Sequence, residues 1–205
     1  MGSRARRERE KENMRSSIFE AAIKIITDEG YDKLTMRKIA DTIEYTPTTI
    51  YSYYKNKAEI VDDISRQIYN KIVVAAKNAL EEKQNSLSDE KLKSALKAFL
   101  YSITDCAEMG IAVIRSGTGA IWGPDAESVP KEDNGVYILQ NLLIQGQKES
   151  VFRKTDENIP WMIITALIGF AVNAIENKLH LSENWHDLVE IYVDMLVAGL
   201  VQKKS

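Results

Sequence analysis

The chain has 205 residues, 44% of them hydrophobic, and a formal net charge of −3 at pH 7. This length and apolar content suffice for a buried core in one or two domains, whereas the slight acidity excludes a protein that coats nucleic acid through a general positive charge. Cys106 is the only cysteine, so an intrachain disulfide is excluded and a reducing cytoplasm is expected. Basic residues are concentrated at one end, because residues 1–60 carry a net charge of +2 and the remainder −5.

The N-terminal segment, about 1–12, is rich in arginine and glutamate. No apolar stretch follows its basic residues, so it lacks the pattern of a signal peptide. We therefore expect a flexible basic arm. The longest apolar run, 161–175, is interrupted by polar residues and is shorter than the roughly 20 residues that span a bilayer, so we expect a buried helix and no membrane association.

A short amphipathic helix is predicted after Thr35. Apolar residues follow at the i, i+3, i+4 and i+7 spacing that places side chains on one helical face: Met36, Ile39, Ala40 and Ile43. The Thr35 hydroxyl is expected to cap this helix by accepting a hydrogen bond from an unpaired N–H of its first turn.

A second short helix is predicted to begin at Thr46 and Pro47, because a threonine cap followed by proline is favourable at a helix start. Only a tight turn fits between the two helices, which indicates a helix-turn-helix. Ile50 and Tyr54, four residues apart, should pack inward. The side chains left to face outward are Thr46, Thr48, Thr49, Tyr51 and Tyr53. This is the pattern of a recognition helix, which places its N-terminal residues against base edges.

The following helix is predicted to begin with a capping box, in which Asn56 is the cap and Glu59 lies three residues later. Lys57 belongs to the first turn of that helix. Its ammonium group and the free backbone N–H groups of the helix start could share one phosphate.

Four stretches of the first third of the chain together resemble the N-terminal domain of the tetracycline-repressor (TetR) family. They are residues 18–22, 28–31, 34–40 and 49–57. Glu44, Tyr45 and Tyr54 depart from the residues usual in that family. These departures affect the expected operator sequence and not the expected fold.

The resemblance implies an all-α fold with a three-helix helix-turn-helix DNA-binding domain at 1–58 and a helical effector-binding and dimerisation domain at 59–205. It implies that Thr48, Thr49 and Tyr53 lie in or beside the major groove of DNA, and that other residues hold phosphates. The DNA-binding residues expected from it are Thr35, Arg37, Tyr45, Thr46, Pro47, Thr48, Thr49, Tyr51, Tyr53, Lys55 and Lys57.

The remainder of the chain has helical periodicity throughout. Helices are predicted at 57–82, 88–108 with Ser88 as its cap, 111–115, 136–148, 158–178 and 182–201. Glycine and proline predict a loop at 122–131.

The last two helices are expected to form a dimer interface as a four-helix bundle, because the first of them is apolar almost all round and must be covered. The residues expected there are Ala166, Gly169, Asn173, Ala174, Leu188, Tyr192, Leu196 and Gly199. The alternative is that the pair completes the core of a monomer, although the TetR resemblance favours dimerisation.

The sequence offers little support for an enzyme. His180 and His186 lack partners at metal-ligand spacing, and the glycine-rich stretch 117–123 is not preceded by a strand as a dinucleotide-binding loop would be. We expect no catalytic residues, no metal and no cofactor.

The resemblance implies that the second domain senses a small molecule. Side chains with an aromatic or polar tip on apolar helices are the candidates to bind it: Tyr101, Asp105, Arg115, Trp122, Tyr137, Gln140, Phe170 and Asn173. Plain core packing is the alternative for Tyr101 and Phe170, and solvent exposure for Asp105 and Arg115. The expected function is a ligand-responsive repressor that binds a palindromic operator as a homodimer. The alternative is a DNA-binding dimer that acts as an activator or DNA-organising factor under the control of a protein partner.

Overall fold

The computed structural model describes residues 3–116 and 133–202, and for residues 3, 4 and 114–116 it describes the backbone alone. These residues form nine α-helices, which confirms the all-α fold class. The helices are α1 Ser3–Glu29, α2 Met36–Thr42, α3 Pro47–Tyr51, α4 Lys57–Glu82, α5 Ser88–Thr104, α6 Ala107–Ser116, α7 Gly135–Lys148, α8 Ile159–Glu176 and α9 Trp185–Ala198. Short 3-10 turns follow α1 at Tyr31–Lys33 and α8 at Leu179–Leu181.

The described chain separates into two compact units. The first, which we call the head, comprises residues 3–67 and 108–116, and the second, the body, comprises residues 68–107 and 133–202. The division falls between residues 67 and 68, inside α4, whereas the boundary at residue 58 stays a prediction from the sequence. The physical reason is that the first turns of α4 belong to the head core, where Ile60 and Ile64 are buried.

Helix α1 is longer than the sequence analysis expects. A flexible arm is predicted up to about residue 12, whereas the helix begins at Ser3. Arginine, lysine and glutamate are good helix formers, and Arg6 pairs with Glu10 one turn later at 2.8 Å. The prediction of a flexible arm is therefore wrong, and the segment is a helical extension of the head.

The helix-turn-helix is defined by caps that act over three residues. The Thr35 hydroxyl accepts a hydrogen bond from the Lys38 N–H at 3.1 Å ahead of α2. The Thr46 hydroxyl accepts one from the Thr49 N–H at 3.3 Å ahead of α3. Both predicted caps are confirmed, and each satisfies one of the N–H groups that a helix start leaves unpaired.

An aliphatic core holds these short helices against α1. The fully buried side chains include Ile18 and Ile26 of α1, Ile39 of α2 and Ile50 of α3. Tyr54, directly beyond α3, is also buried, so the predicted inward pair of α3 is confirmed. A five-residue helix cannot be stable in isolation. The position of α3 therefore depends on this core.

Helix α5 is the centre of the body and packs against α7, α8 and α9. Its residues Leu92, Leu96 and Leu100 follow one another at a spacing of four and are buried. From α9, Val189 and Val193 are fully buried in the same way. Complete burial of each such side chain contributes about 1.5–3 kcal/mol, so this contact accounts for much of the stability of the body.

The sequence analysis expects Ser88 to cap α5, but the structure shows that it does not. It is the first residue of the helix and is fully buried, and its hydroxyl donates a hydrogen bond of 2.6 Å to the carboxylate of Glu149. The same carboxylate accepts the Ser88 backbone N–H at 3.2 Å. Glu149, the residue after the end of α7, therefore caps the start of α5 in place of a local side chain. A partner 61 residues away could not be recognised from local sequence.

Helix α8 is only partly covered by its own chain, so the predicted dimer interface on it stays a prediction. It is long and apolar enough to cross a membrane by length and composition alone, with a mean hydropathy of 1.7, yet only 39% of it is buried. Ile163 and Leu167 face the core of the body. Met162 is 60% exposed, and Gly169 and Asn173 are exposed as well. Among the residues that the structure describes, none covers this apolar face of α8.

Candidate functional site

Helix α3 presents polar and aromatic side chains to solvent on the side opposite to Ile50. Thr48 is exposed, and the side chain of Tyr51 is 55% exposed. Among the other predicted DNA-binding residues, Thr49, Tyr53 and Lys57 are half-buried. The remaining ones are all exposed: Thr35, Arg37, Tyr45, Thr46, Pro47 and Lys55. The structure therefore gathers this set on the surface around α3, where it can contact another molecule.

The turn before α3 contains Glu44, one of the residues that depart from the family pattern. Glu44 has a φ angle of 60°, in the left-handed region that small residues and asparagine adopt more easily. The Tyr45 N–H bonds back to the Ala40 carbonyl at 2.9 Å, which closes the turn over the end of α2. Tyr45 itself is 49% exposed next to Thr46. The turn thus directs an aromatic ring to the edge of the recognition surface.

A polar cluster fixes the end of α3 against α1 and α4. The Tyr54 hydroxyl donates a hydrogen bond of 2.9 Å to Asp63 of α4. The Arg15 guanidinium of α1 donates to the same carboxylate at 3.3 Å and lies 4.8 Å from the centre of the Tyr54 ring. Burial raises the pKa of Tyr54 above its usual value, which keeps the donating proton in place. Arg15 and Asp63 are functional neighbours that the sequence analysis missed, because their partners are distant in sequence.

The start of α4 holds a second set of contacts. The Asn56 side chain accepts a hydrogen bond from the Glu59 N–H at 3.1 Å, which confirms the predicted cap. Glu59 also accepts a hydrogen bond from a backbone N–H, at 2.7 Å. The donor is Lys55, one residue before the cap Asn56 that a capping box would use. The Lys57 ammonium lies 4.2 Å from the centre of the Tyr31 ring. This cation–π contact holds the charge of Lys57 near the helix start, where an anion would be bound.

In the body, α4, α5, α7 and α8 surround an apolar cavity of about 50 Å³. Aliphatic side chains from all four helices line it, together with Phe99, Tyr69 and Asn134; they include Ile72, Val73, Ala76, Leu96, Leu139 and Ile164. No charged residue occurs among the lining residues that the structure describes. A cavity with such walls binds mainly by burial of apolar surface.

The polar rim of this cavity joins α4 to the start of α7. The Tyr69 hydroxyl donates a hydrogen bond of 3.0 Å to the Asp133 carbonyl and accepts one of 2.9 Å from the Gly135 N–H. The Asp133 carboxylate pairs with Lys77 of α4 at 2.5 Å. Burial raises the pKa of Tyr69, so its hydroxyl keeps the proton that it donates. Asn134 caps α7 through its side-chain oxygen.

None of the predicted effector-binding residues within the described chain lines this cavity. Tyr101 turns towards α9, where its hydroxyl lies 2.6 Å from His186 Nδ1. Phe170 stacks on Tyr192 with the ring centres 4.0 Å apart. Tyr137, Asp105 and Asn173 are exposed, and Gln140 borders a separate surface groove. The side chain of Arg115 and all of Trp122 lie outside the described residues.

The sequence analysis selected side chains with aromatic or polar tips, whereas most of the side chains that line the cavity are small or aliphatic and look like ordinary core residues. The signal that could have found it was the small side chains of Ala76 in α4 and Ala95 in α5, which both line the cavity. Small side chains in a core fill less of the space between helices than large ones do.

The predicted interface residues of α8 and α9 fall into three groups. Gly169, Asn173 and Gly199 are exposed. Half-buried residues are Ala166, Leu188, Tyr192 and Leu196. Ala174 is only 1% exposed, because it faces the core of its own chain, so its assignment to an interface is wrong. The largest exposed apolar side chains of these helices were missed: Met162, Ile191 and Met195.

In comparison with known proteins, the family model that matches this chain lies within the head. A family model described as "Bacterial regulatory proteins, tetR family" matches residues 18–64. An uncharacterised HTH-type transcriptional regulator of Haemophilus influenzae is 26% identical over 72 residues, and the regulator YhgD of Bacillus subtilis is 36% identical over 64 residues. These matches cover 35% and 31% of this chain and 38% and 34% of the two relatives, so the chain matches little more than a third of the length of either one.

Solved structures extend the similarity of fold to nearly the whole chain. The fatty acid degradation regulator FadR of Bacillus halodurans has a TM-score of 0.68 at 20% identity, covering 90% of this chain and 95% of that one. The ketosteroid regulator KstR2 of Mycobacterium tuberculosis has a TM-score of 0.64 at 15% identity, covering 93% and 96%. At such identities the likeness shows the fold alone.

The head and these matches define a helix-turn-helix transcriptional regulator. Within that class, residues 18–64 match the tetR family of bacterial regulatory proteins. Members of this family are regulators of transcription and not enzymes. They bind DNA and typically act as homodimers with small-molecule ligands.

Proposed function

We propose that the protein is a cytoplasmic, ligand-responsive transcriptional repressor that binds a palindromic operator as a homodimer. A small, largely apolar molecule binds the body and releases the DNA. The observation that carries this proposal is the outward face of α3, whose exposed threonines and tyrosines are supported from behind by the buried Ile50.

In the proposed complex, the threonines at the start of α3 contact base edges and its flanks contact phosphates. Thr48, Thr49 and Tyr53 read the major groove. Arg37, Tyr51 and Lys57 bind the phosphates, with Lys57 adding its charge to the N–H groups at the start of α4. Lys57→Ala should therefore weaken binding to every DNA sequence and reduce its salt dependence by about one phosphate contact.

The proposed dimer is formed by the exposed apolar face of α8 and α9. Met162 is 60%, Ile191 66% and Met195 62% exposed in a single chain, which is unusual for large apolar side chains on adjacent helices. Gly169 lies in the same face, and a Cβ added there would meet no atom within 4 Å. A second copy can therefore approach closely. Pairing should place the two recognition helices roughly 34–36 Å apart, the repeat of the major groove on one face of DNA.

The proposed effector enters the apolar cavity of the body, which at about 50 Å³ must expand to admit it. The described walls offer no charge to balance a buried ionic group, and burial of an unpaired charge is costly. The part of the molecule inside the cavity should thus be neutral, with at most one or two polar atoms near Tyr69 and Asn134. Similar folds belong to regulators named for ketosteroids and fatty acid degradation, and to RolR in complex with resorcinol.

Helix α4 is the proposed link between the two events. It begins with Lys57, and its later residues Tyr69, Ile72 and Val73 line the cavity. An effector releases DNA only if it binds the DNA-incompetent conformation more tightly than the competent one, since equal affinity shifts no equilibrium. Movement of α4 on filling the cavity would supply that difference.

The effector proposal is tested in two stages. DNA fragments retained by the full chain are first selected and sequenced, and a fluorescent duplex containing the common site reports binding. Steroids, fatty acyl compounds and small phenols are then screened for release of this duplex. Ala76→Leu should fill the cavity and raise the effector concentration needed for release, with little change in DNA affinity. Ala75→Leu on the same helix, outside the cavity lining, is the matched control. Equal responses of both variants would contradict the cavity as the effector site.

The assembly is tested by sedimentation. Ile191→Glu should yield monomers, because it places an unpaired charge in the proposed apolar interface. Val74→Glu, at a side chain of α4 that is 55% exposed, is the control and should sediment as the wild type does. A dimer retained in Ile191→Glu and Met195→Glu would exclude this face. DNA binding that persists unchanged under all effectors tested would favour the alternative, a DNA-binding dimer controlled by a protein partner.

A further inference from the structure

The N-terminal extension of α1 has no packing role within the head. Residues 5–13 are all exposed, and Ile18 is the first fully buried residue of the helix. At 1.5 Å per residue, residues 5–17 extend the helix by roughly 20 Å ahead of Ile18. A helical segment that buries none of its own side chains against the described residues is available to contact another molecule.

One face of the extension is basic. Arg7, Lys11 and Arg15 follow one another at a spacing of four residues, so they lie along one side of the helix. Arg6 and Arg9 point to other sides, and Arg6 is already paired with Glu10. Within the described residues, Arg7 and Lys11 are exposed and form no ion pair. We call Arg7 and Lys11 the basic stripe.

The contacts of Arg15 show where the basic stripe faces. Arg15 lies over the ring of Tyr54, the residue that ends the helix-turn-helix, and donates to Asp63. On the other flank of α1, Glu10 borders a groove with Tyr45, the residue just before α3 begins. Both ends of the recognition segment are therefore beside α1. The basic stripe continues along the side of α1 that carries Arg15, one and two turns towards the N-terminus.

We propose that the basic stripe is a second DNA contact, which binds the phosphate backbone beside the segment read by α3. The argument rests on charge complementarity and on the continuity of the stripe with the recognition surface. It also rests on the DNA binding proposed above for α3. Arginine and lysine on a solvent-exposed helix suit phosphates, which they bind without regard to base sequence. The basic stripe would thus increase the affinity for DNA and the salt dependence of binding, whereas α3 alone would determine which DNA sequence is bound.

The test compares two double variants of the full chain that each remove two positive charges from the same part of α1. Arg7→Gln with Lys11→Gln removes the basic stripe, and Arg6→Gln with Arg9→Gln is the matched control on the other faces. Glutamine preserves helix propensity, and circular dichroism should show equal helix content. Binding is measured as a function of salt, on a duplex trimmed to the recognised site and on one with longer flanks.

The stripe variant should reduce the slope of log K against log salt by about 0.9 for each phosphate that is no longer neutralised, or about 1.8 per head. It should also bind the longer duplex without the extra affinity that the wild type gains from the flanks, whereas the control variant should keep that gain. Equal slopes for the stripe variant and the control, or an undiminished gain from the flanks, would overturn the proposal. If Lys57→Ala and Thr48→Ala also left binding unchanged, the proposed DNA-binding role of α3 would fail instead.

Discussion

The head and the body are both helical, but the start of α5 and the rim of the cavity in the body depend on contacts of much longer range than the helix caps of the head. In the head, the helix starts at Thr35, Thr46 and Asn56 are capped by contacts with residues three positions later. In the body, the start of α5 is held by Glu149, 61 residues away, and the rim of the cavity joins residues separated by 64 and 66 positions. Short-range signals are readable in a sequence, and long-range ones are not.

The difference also separates two functional demands. A recognition surface must be the same each time it meets DNA, and local caps on a small aliphatic core supply that reproducibility. The effector site proposed above must be able to change its shape, and the proposal requires that the helices around the cavity have two alternative packings. The following substitutions test whether stability in the head is really local and stability in the body really depends on distant partners.

The largest effect is expected at Ile50. Ile50→Ala removes a fully buried side chain from beneath α3 and should lower the free energy of unfolding by about 2–5 kcal/mol. Its neighbour Tyr51 is 55% exposed, so Tyr51→Ala should leave stability nearly unchanged while weakening DNA binding. Chemical denaturation and DNA titration of both variants measure this contrast. A stable Ile50→Ala variant would mean that α3 is held by its caps and not by the core beneath it.

Gly146 tests the body in the same way. A Cβ at this position would overlap the buried ring of Phe152 and come within 2.9 Å of Ser88 Cβ. Overpacking of this kind costs about 1–3 kcal/mol, which exceeds the roughly 0.5–1 kcal/mol that alanine gains over glycine within a helix. Gly146→Ala should therefore lower the melting temperature. Gly135→Ala, whose Cβ would make ordinary contacts of 3.8 and 3.9 Å, should not.

These positions also show how far the sequence could be interpreted. The helix-turn-helix, its caps and the inward pair Ile50 and Tyr54 were predictable, because periodicity and capping act within one or two turns. The same reasoning erred for Ser88, since a serine before an amphipathic run has the pattern of a cap whether or not a distant carboxylate replaces it. Ala174 was assigned to the wrong face, because an all-apolar helix does not reveal which side is covered by its own chain.

The cavity and the basic stripe are the parts of the candidate sites that the sequence did not supply. The cavity is a space between side chains such as Ala76 and Ala95, which periodicity alone identifies only as core. The basic stripe required knowledge that α1 is helical from Ser3. Without that fact, Arg7 and Lys11 belong to a charged segment with no defined faces.

A smaller effect is expected from the cap of α3. Thr46→Ala removes the hydroxyl that accepts the Thr49 N–H and should cost about 1 kcal/mol. Thr48→Ala, at an exposed position inside the helix, should change stability less, although both variants should bind DNA more weakly. Denaturation without DNA separates the two effects. Equal stability of the two variants would show that the cap adds nothing once the core beneath α3 is formed.

The smallest effect concerns the dependence of the body on pH. Hydrogen bonds from Ser88 and Gln145 lower the pKa of Glu149 from its ordinary value of 4.5. A carboxyl group whose pKa is lowered by folding stabilises the folded state above its ordinary pKa, and this contribution is lost as the pH falls through the lowered value. Wild type should thus melt at a higher temperature than Glu149→Gln near neutral pH, and the difference should shrink as the pH is taken below 4.5.

Glu157 is an exposed carboxylate elsewhere in the body, so Glu157→Gln is the control and should differ little from wild type at any pH. If the difference in melting temperature between wild type and Glu149→Gln stayed constant across this range, the charge of Glu149 would not contribute to the stability of the α5 start.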